Sequence, residues 1–317
     1  MIYNLSLATH AVSSRQSRDF FFQHNMATHS TLKLTTPVQT GKSKISVSLD
    51  KPMLLLGSCF SDNIGKRMVQ CGFDTIVNPL GTTYNPLSIA NSLSRIDSGT
   101  PFTSSECEAI GAGDGRICSF NHHTSHARTT AEDFLSAAND GLAKAHDHWL
   151  RTELLIVTLG TAWCFRHNAT GEVVSNCLKR PAAEFTRFRL SMSECVDALN
   201  RIIAIANGRD VIFTVSPIRH LADGAHGNQL SKSTLLLSAD YVIANHTKHT
   251  AYFPSFEIMN DELRDYRFYA DDMTHPTPLA EAYIFDRFMD FALPDNERGR
   301  LEENIKIAKR MAHREMR

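Results

Sequence analysis

MLLLGSCFSDNIG, residues 53–65, decides how the rest of the chain is read. Four apolar residues, Met53 to Leu56, stop at Gly57, and Ser58, Cys59 and Phe60 follow. Ile64, Met68 and Val69 then recur at helical spacing around Lys66 and Arg67. A short apolar run closed by glycine and followed by a helix reads as a buried strand entering a tight turn. In α/β sheets, ligands bind outside the carboxyl ends of such strands, so Ser58 and Cys59 stand where chemistry is expected. The plainer reading is that Gly57 turns the chain and Ser58 caps the helix.

Outward from this stretch the same pattern repeats. Thr75–Val77, Leu154–Leu159, Val211–Val215 and Ala251–Phe253 are further apolar runs, two of them closed by Gly160 and by Ser216-Pro217. Between them lie helical periodicities: one opened by Asn85-Pro86, then 131–149, 191–206 and 230–249, with another at 279–291. Continuous apolar strands alternating with helices predict parallel βαβ crossovers in a three-layer α/β/α domain with a mostly parallel central sheet. Residues 162–177 read as a hairpin around His167-Asn-Ala-Thr-Gly171, and 219–229 read as a polar loop. Residues 1–30 show no periodicity and are expected to be a disordered extension, with Met26 an alternative start. Residues 31–295 form the expected domain, and 296–317 a charged helix with a thin apolar stripe.

Composition excludes several classes. Of 317 residues, 42% are hydrophobic and 21% charged, and the net charge is −1. No bulk charge favours nucleic acid, and no apolar run approaches the ~18 residues of a membrane span. Seven cysteines with no CxxC pair fit a reducing compartment better than a disulfide framework. A cytoplasmic protein is expected, with no membrane or nucleic-acid partner. His122, His123 and His126 have a spacing a metal could use, but no matching ligand cluster accompanies them, so neither metal nor other cofactor is expected.

Three turns converge at the carboxyl ends of the strands: Ser58, Gly81 within NPLGTTYNP (78–86), and Gly160-Thr161. Near the end of the chain stands Asp272-Met-Thr-His275. A hydroxyl nucleophile needs a base, usually histidine, oriented by a carboxylate. An Asp three residues before a His lets the carboxylate reach Nδ1 while Nε2 faces outward. Backbone N–H groups at Ser58 and Gly81 are candidate oxyanion donors. Cys59 is the rival nucleophile, because thiolates are intrinsically better. Adjacent side chains leaving a strand point oppositely, so only one of the pair can face His275.

The motifs GSCFSDNIG (57–65), NPLGTTYNPLSI (78–89), TLGTAW (158–163), SPIRH (216–220), DGAHGNQLSKSTL (223–235) and YFPSFEIMNDELRDYRFYADDMTHP (252–276) resemble the GSCFA-domain family. That family sits in the SGNH (GDSL-like) hydrolase superfamily. The resemblance implies a flavodoxin-like fold and ester hydrolysis through an acyl-serine, on a small ester or acylated carbohydrate. It assigns Ser58 as nucleophile, His275 as base, Asp272 as its orienting partner and Gly81 as an oxyanion glycine. The superfamily's third block carries an Asn two residues after a glycine; here Ala162 holds that place. Thr161, Asn85 or His220 are the candidate replacement donors. Asn85, Arg219, His220 and His226 are expected to bind substrate. A non-catalytic carbohydrate-binding protein and an acyltransferase are the alternatives.

Overall fold

A computed structural model describes residues 35–315. The predicted extension at 1–30 lies outside the described residues. The described residues from 38 onward form one compact unit. Its centre is a five-stranded sheet of β1 (Met53–Gly57), β2 (Thr75–Val77), β3 (Leu154–Leu159), β4 (Asp210–Val215) and β5 (Thr250–Phe253). The strands lie in the order β2-β1-β3-β4-β5 and every neighbouring pair is parallel. That is the flavodoxin-like order, and it reverses direction between β1 and β3.

Among the described residues the long helices are α1 (Cys59–Gln70), α2 (Pro86–Ser98), α3 (Ala131–Arg151), α4 (Met192–Ala206), α5 (Gly224–Asn245) and α6 (Pro278–Ala292), which flank the sheet, and α7 (Arg298–Glu315), which packs against α1. Alternation along the strands splits the core in two. Leu54, Leu56, Leu155, Val157, Val211 and Phe213 pack with α2, α3, α4 and α5. Met53, Leu55, Leu154, Ile156, Ile212 and Phe253 pack on the other face with α1 and α6. The lead-in is extended, with Ile45, Val47 and Leu49 buried alternately, and it is bonded to the end of α6 through Ser43 N–H to Phe291 O (2.8 Å) and Val47 N–H to Ala292 O (3.0 Å). On α7, Leu301 is buried and Asn304 donates to the Cys71 carbonyl at 2.8 Å.

Two expectations need correction. The predicted hairpin is a three-stranded antiparallel sheet, in which Trp163–His167 pairs with both Val173–Val174 and Phe185–Arg189. The third strand, FTRFR, has one buried residue and three exposed ones, so it carries almost no apolar signal. The predicted loop 219–229 is helical from Gly224 onward. Its entry is fixed by tertiary contact, Asn228 Oδ1 accepting the His220 N–H at 3.0 Å, which local propensity does not encode. Among the described residues no helix is long and apolar enough to cross a membrane, and no cluster of three metal-ligating side chains occurs.

Candidate active site

The site lies at the carboxyl ends of β1 and β3, where the strand order reverses. Gly57 ends β1 at φ +144°, and a Cβ there would overlap the Thr158 carbonyl of β3, so only glycine lets the two strands approach so closely. The turn is held from below by Asn78, itself at φ +41°. Its Oδ1 accepts the Gly57 N–H at 2.8 Å and its Nδ2 donates to Asp62 at 2.5 Å.

Ser58 is the N-cap of α1 but makes no side-chain cap bond, and its buried hydroxyl has no hydrogen-bond partner among the described residues. Cys59, one residue on, is the side chain that meets the base: its Sγ lies 3.6 Å from His275 Nε2. His275 Nδ1 in turn donates to Asp272 Oδ2 at 2.6 Å. The carboxylate therefore fixes the tautomer that leaves Nε2 free to accept the thiol proton. Asp272 also accepts the N–H groups of Thr274 (2.8 Å) and His275 (3.0 Å) through Oδ1. Those bonds hold its carboxyl down at about 2, the His275 N–H contributing most.

The expectation that Ser58 faces His275 is thus corrected in favour of its neighbour. The two side chains diverge, as adjacent positions leaving a strand must, and it is Ser58 that turns inward toward Gly160. The expected oxyanion donors are corrected as well. The Ser58 N–H goes to Thr158 O (3.3 Å) and the Gly81 N–H to Asn78 O (2.7 Å). Gly81 has a structural reason to be glycine: φ is +93°, and a Cβ would overlap His123. Thr161 donates its N–H to Tyr84 O (2.9 Å), and its hydroxyl is engaged by Ser231 (3.0 Å) and the Trp163 N–H (3.1 Å).

The first turn of α1 presents backbone N–H groups beside the thiol. The N–H groups of Cys59 and Phe60 approach the Cys59 sulfur, and the uncapped Ser58 hydroxyl does not consume them. They oppose, without overcoming, burial and the Asp62 charge, which push the thiol up to about 11. At neutral pH the resting group is the thiol.

Cys59 and His275 line an open pocket of about 700 Å³, with Tyr84, Trp163 and Phe165 among its walls. The Trp163 indole N–H is buried with no partner among the described residues, and Arg187 stacks 4.2 Å from that ring while pairing with Asp223. Asn85 lines the pocket, its Oδ1 spent on capping α2 at the Ser88 N–H (2.8 Å). Arg219 lines it too and clamps the base-bearing loop, its N–H on Thr274 O (3.1 Å) and its Nη1 on Met273 O (3.2 Å). The His220 ring lies edge-on to Tyr84, with Nε2 buried and without a hydrogen-bond partner among the described residues. Burial first, and the Lys232 charge second, push His220 down to about 4, so it is neutral. His226 sits on the exposed first turns of α5 and is not among the pocket residues, which corrects its expected substrate contact.

Lys232 is the site residue that sequence reasoning missed. It is 1% exposed, and its Nζ donates to Gly160 O (2.6 Å) and Ser216 O (2.8 Å), tying together the ends of β3 and β4. Burial pushes its pKa down to about 7. A readable signal existed. Asn228, Ser231, Leu235, Ala239 and Val242 mark the inward face of α5 at three- and four-residue spacing, and Lys232 falls on it.

Among curated proteins none matches the sequence. Among solved structures, an acetyl xylan esterase (Est2A) from the rumen bacterium Butyrivibrio proteoclasticus is similar at 11% identity and a TM-score of 0.37. That alignment covers 80% of this chain and 64% of the esterase, less than two thirds of its length. The model of the GSCFA family matches residues 52–288, running from the start of β1 through the relay to α6. By that match over most of its length, the chain belongs to the GSCFA family.

Proposed function

We propose that this protein is an acyl hydrolase acting on esters through a covalent intermediate on Cys59, with His275 as general base and Asp272 as its orienting carboxylate. The observation that carries this reading is the unbroken relay from Cys59 Sγ to His275 Nε2 at 3.6 Å and from His275 Nδ1 to Asp272 at 2.6 Å. His275 Nε2 takes the thiol proton as sulfur attacks the ester carbonyl. The N–H groups of Cys59 and Phe60 at the open end of α1 face the developing oxyanion. Collapse breaks the C–O bond, and the imidazolium returns the proton to the departing alcohol. Water, deprotonated by His275, then attacks the thioester, releasing the acid and restoring the thiol. Substrates are small esters, including acylated carbohydrates, whose rings the aromatic walls of the pocket suit.

An ester panel combined with thiol- and serine-directed probes tests this. Cys59→Ala should abolish both acyl-enzyme formation and turnover, a loss on the order of 10⁴-fold or more. Ser58→Ala should keep covalent labelling. Labelling that survives Cys59→Ala and disappears in Ser58→Ala would return the nucleophile to the serine.

A further inference from the structure

Beside the Cys59 pocket lies a second cleft of about 480 Å³, and Arg219 and Leu221 line both. One wall is the start of α5, with Asn228 and Gln229; the other is the segment 256–269. That segment opens with a helical turn at Ser255–Glu257 and widens into a π-turn over Ile258–Glu262, closed by the Leu263 N–H on Ile258 O at 3.0 Å. Wide turns of this kind are costly and recur at functional sites because they re-aim side chains. Here Ile258 and Met259 are anchored in the core, at 0% and 1% exposure, while the residues that follow, Asn260 and Arg264, reach the cleft.

Of the three charged residues that line the cleft, two are arginines and one is a carboxylate. Arg264 makes no ion pair or hydrogen bond among the described residues. Arg219 spends one guanidinium nitrogen on Met273 O, its plane lies 5.5 Å from the Tyr269 ring, and it too has no acidic partner among them. The cleft's acidic residue, Asp265, is turned to Arg267, accepting its N–H at 2.9 Å with the guanidinium 3.7 Å away. Two guanidinium groups with unspent N–H donors thus line a cleft that shares Arg219 and Leu221 with the Cys59 pocket, and one of them, Arg219, lies over the Tyr269 ring. That donor set matches an oxyanion carried on a ring or chain, because guanidinium pairs with carboxylate or phosphate through parallel bonds.

We propose that this second cleft is the subsite for an anionic group, carboxylate or phosphate, of the same ester that is cleaved at Cys59, with Arg264 as the residue that takes it. The proposal rests on the acyl-hydrolase reading for its kinetics but not for its binding test. Arg219 would be shared, holding the base-bearing loop on one side and facing the anion on the other. The substrate class narrows from esters in general to esters of an acidic molecule.

Two measurements test it on the full chain. In the first, acetate esters matched in size but ending in a hydroxyl, a carboxylate or a phosphate are compared by kcat/KM. The wild type should favour one of the anionic esters over the neutral one by roughly 10-fold, less at high salt, and the ratio should fall toward one in Arg264→Ala. A wild-type ratio near one, or a ratio unchanged in Arg264→Ala, overturns the proposal. In the second, benzoate and phenyl phosphate are titrated calorimetrically into the Cys59→Ala protein, with and without Arg264→Ala. Binding of either anion that weakens about tenfold on loss of Arg264 supports the subsite, and the stronger ligand identifies which oxyanion it takes. Binding of neither anion, or equal binding by both proteins, overturns it whatever the fate of the hydrolase reading. Anion binding without ester turnover would overturn only the latter.

Discussion

Replacing Lys232 by methionine should destabilise the protein by an amount that grows with pH. The change keeps the length of the side chain and removes the two bonds from Nζ to Gly160 O and Ser216 O. Each stranded carbonyl costs about 1–3 kcal/mol, so the lost bonds alone amount to about 2–6 kcal/mol. Against this, the variant no longer keeps an ammonium group out of water. A fall from the ordinary 10.5 to about 7, at ~1.36 kcal/mol per pH unit, corresponds to about 5 kcal/mol for the charged form. Below pH 7 the two effects nearly cancel. Between about 7 and 10.5 the unfolded chain holds a proton that the folded chain has released, so wild-type stability rises with pH. The gain is about 2 kcal/mol from pH 7 to pH 9, and the methionine variant lacks it. Urea denaturation of both proteins at pH 6, 7, 8 and 9 measures the gap, and titrating groups remote from Lys232 cancel in the difference. A gap that stays flat or narrows as pH rises would refute the argument that Lys232 is buried as a strained base rather than as a contented ammonium.

Other outcomes follow from the same geometry. Asp272→Asn should leave the loop intact and lower kcat by about 10²–10⁴-fold with little change in KM, because the imidazole loses its tautomer control; steady-state kinetics reads this directly. Gly81→Ala should destabilise by more than about 2 kcal/mol, since its φ of +93° and the neighbouring His123 leave no room for a methyl group. Thermal melts should show that loss. His226→Ala, on an exposed turn of α5 away from the pocket, should leave kcat/KM within about twofold of wild type in the ester assay.

The sheet was legible because buried parallel strands must be apolar on both faces, and MLLLG, LLIVTL and VIFTV have no other soluble use. The order of motifs also located the relay, since Asp272 and His275 sit three residues apart in a turn whose local geometry is nearly self-specifying. What sequence could not choose was which of two adjacent side chains meets that histidine. Ser58 and Cys59 differ only in the direction each leaves the backbone, and that depends on where β3 and Gly160 lie in space. Lys232 was passed over because a charged residue in a polar-looking helix reads as solvated. Its burial is visible only when it is counted with Leu235, Ala239 and Val242 on the inward stripe. The strand at Phe185–Arg189 escaped because pairing on one side, rather than burial, defines it.

Cys59 and His275 are 216 residues apart in the chain, and the extended lead-in around Val47 waits for carbonyls at Phe291 and Ala292. During synthesis the amino-terminal third therefore emerges with Cys59 but without His275, and with an extended lead-in that has nothing to dock against. Only when the stretch from Asp272 to α6 is out can both defects be mended, and one event mends them together. Contacts of such long range make folding slow and keep early chains exposed. They also ensure that Cys59 and His275 meet only once the molecule has closed.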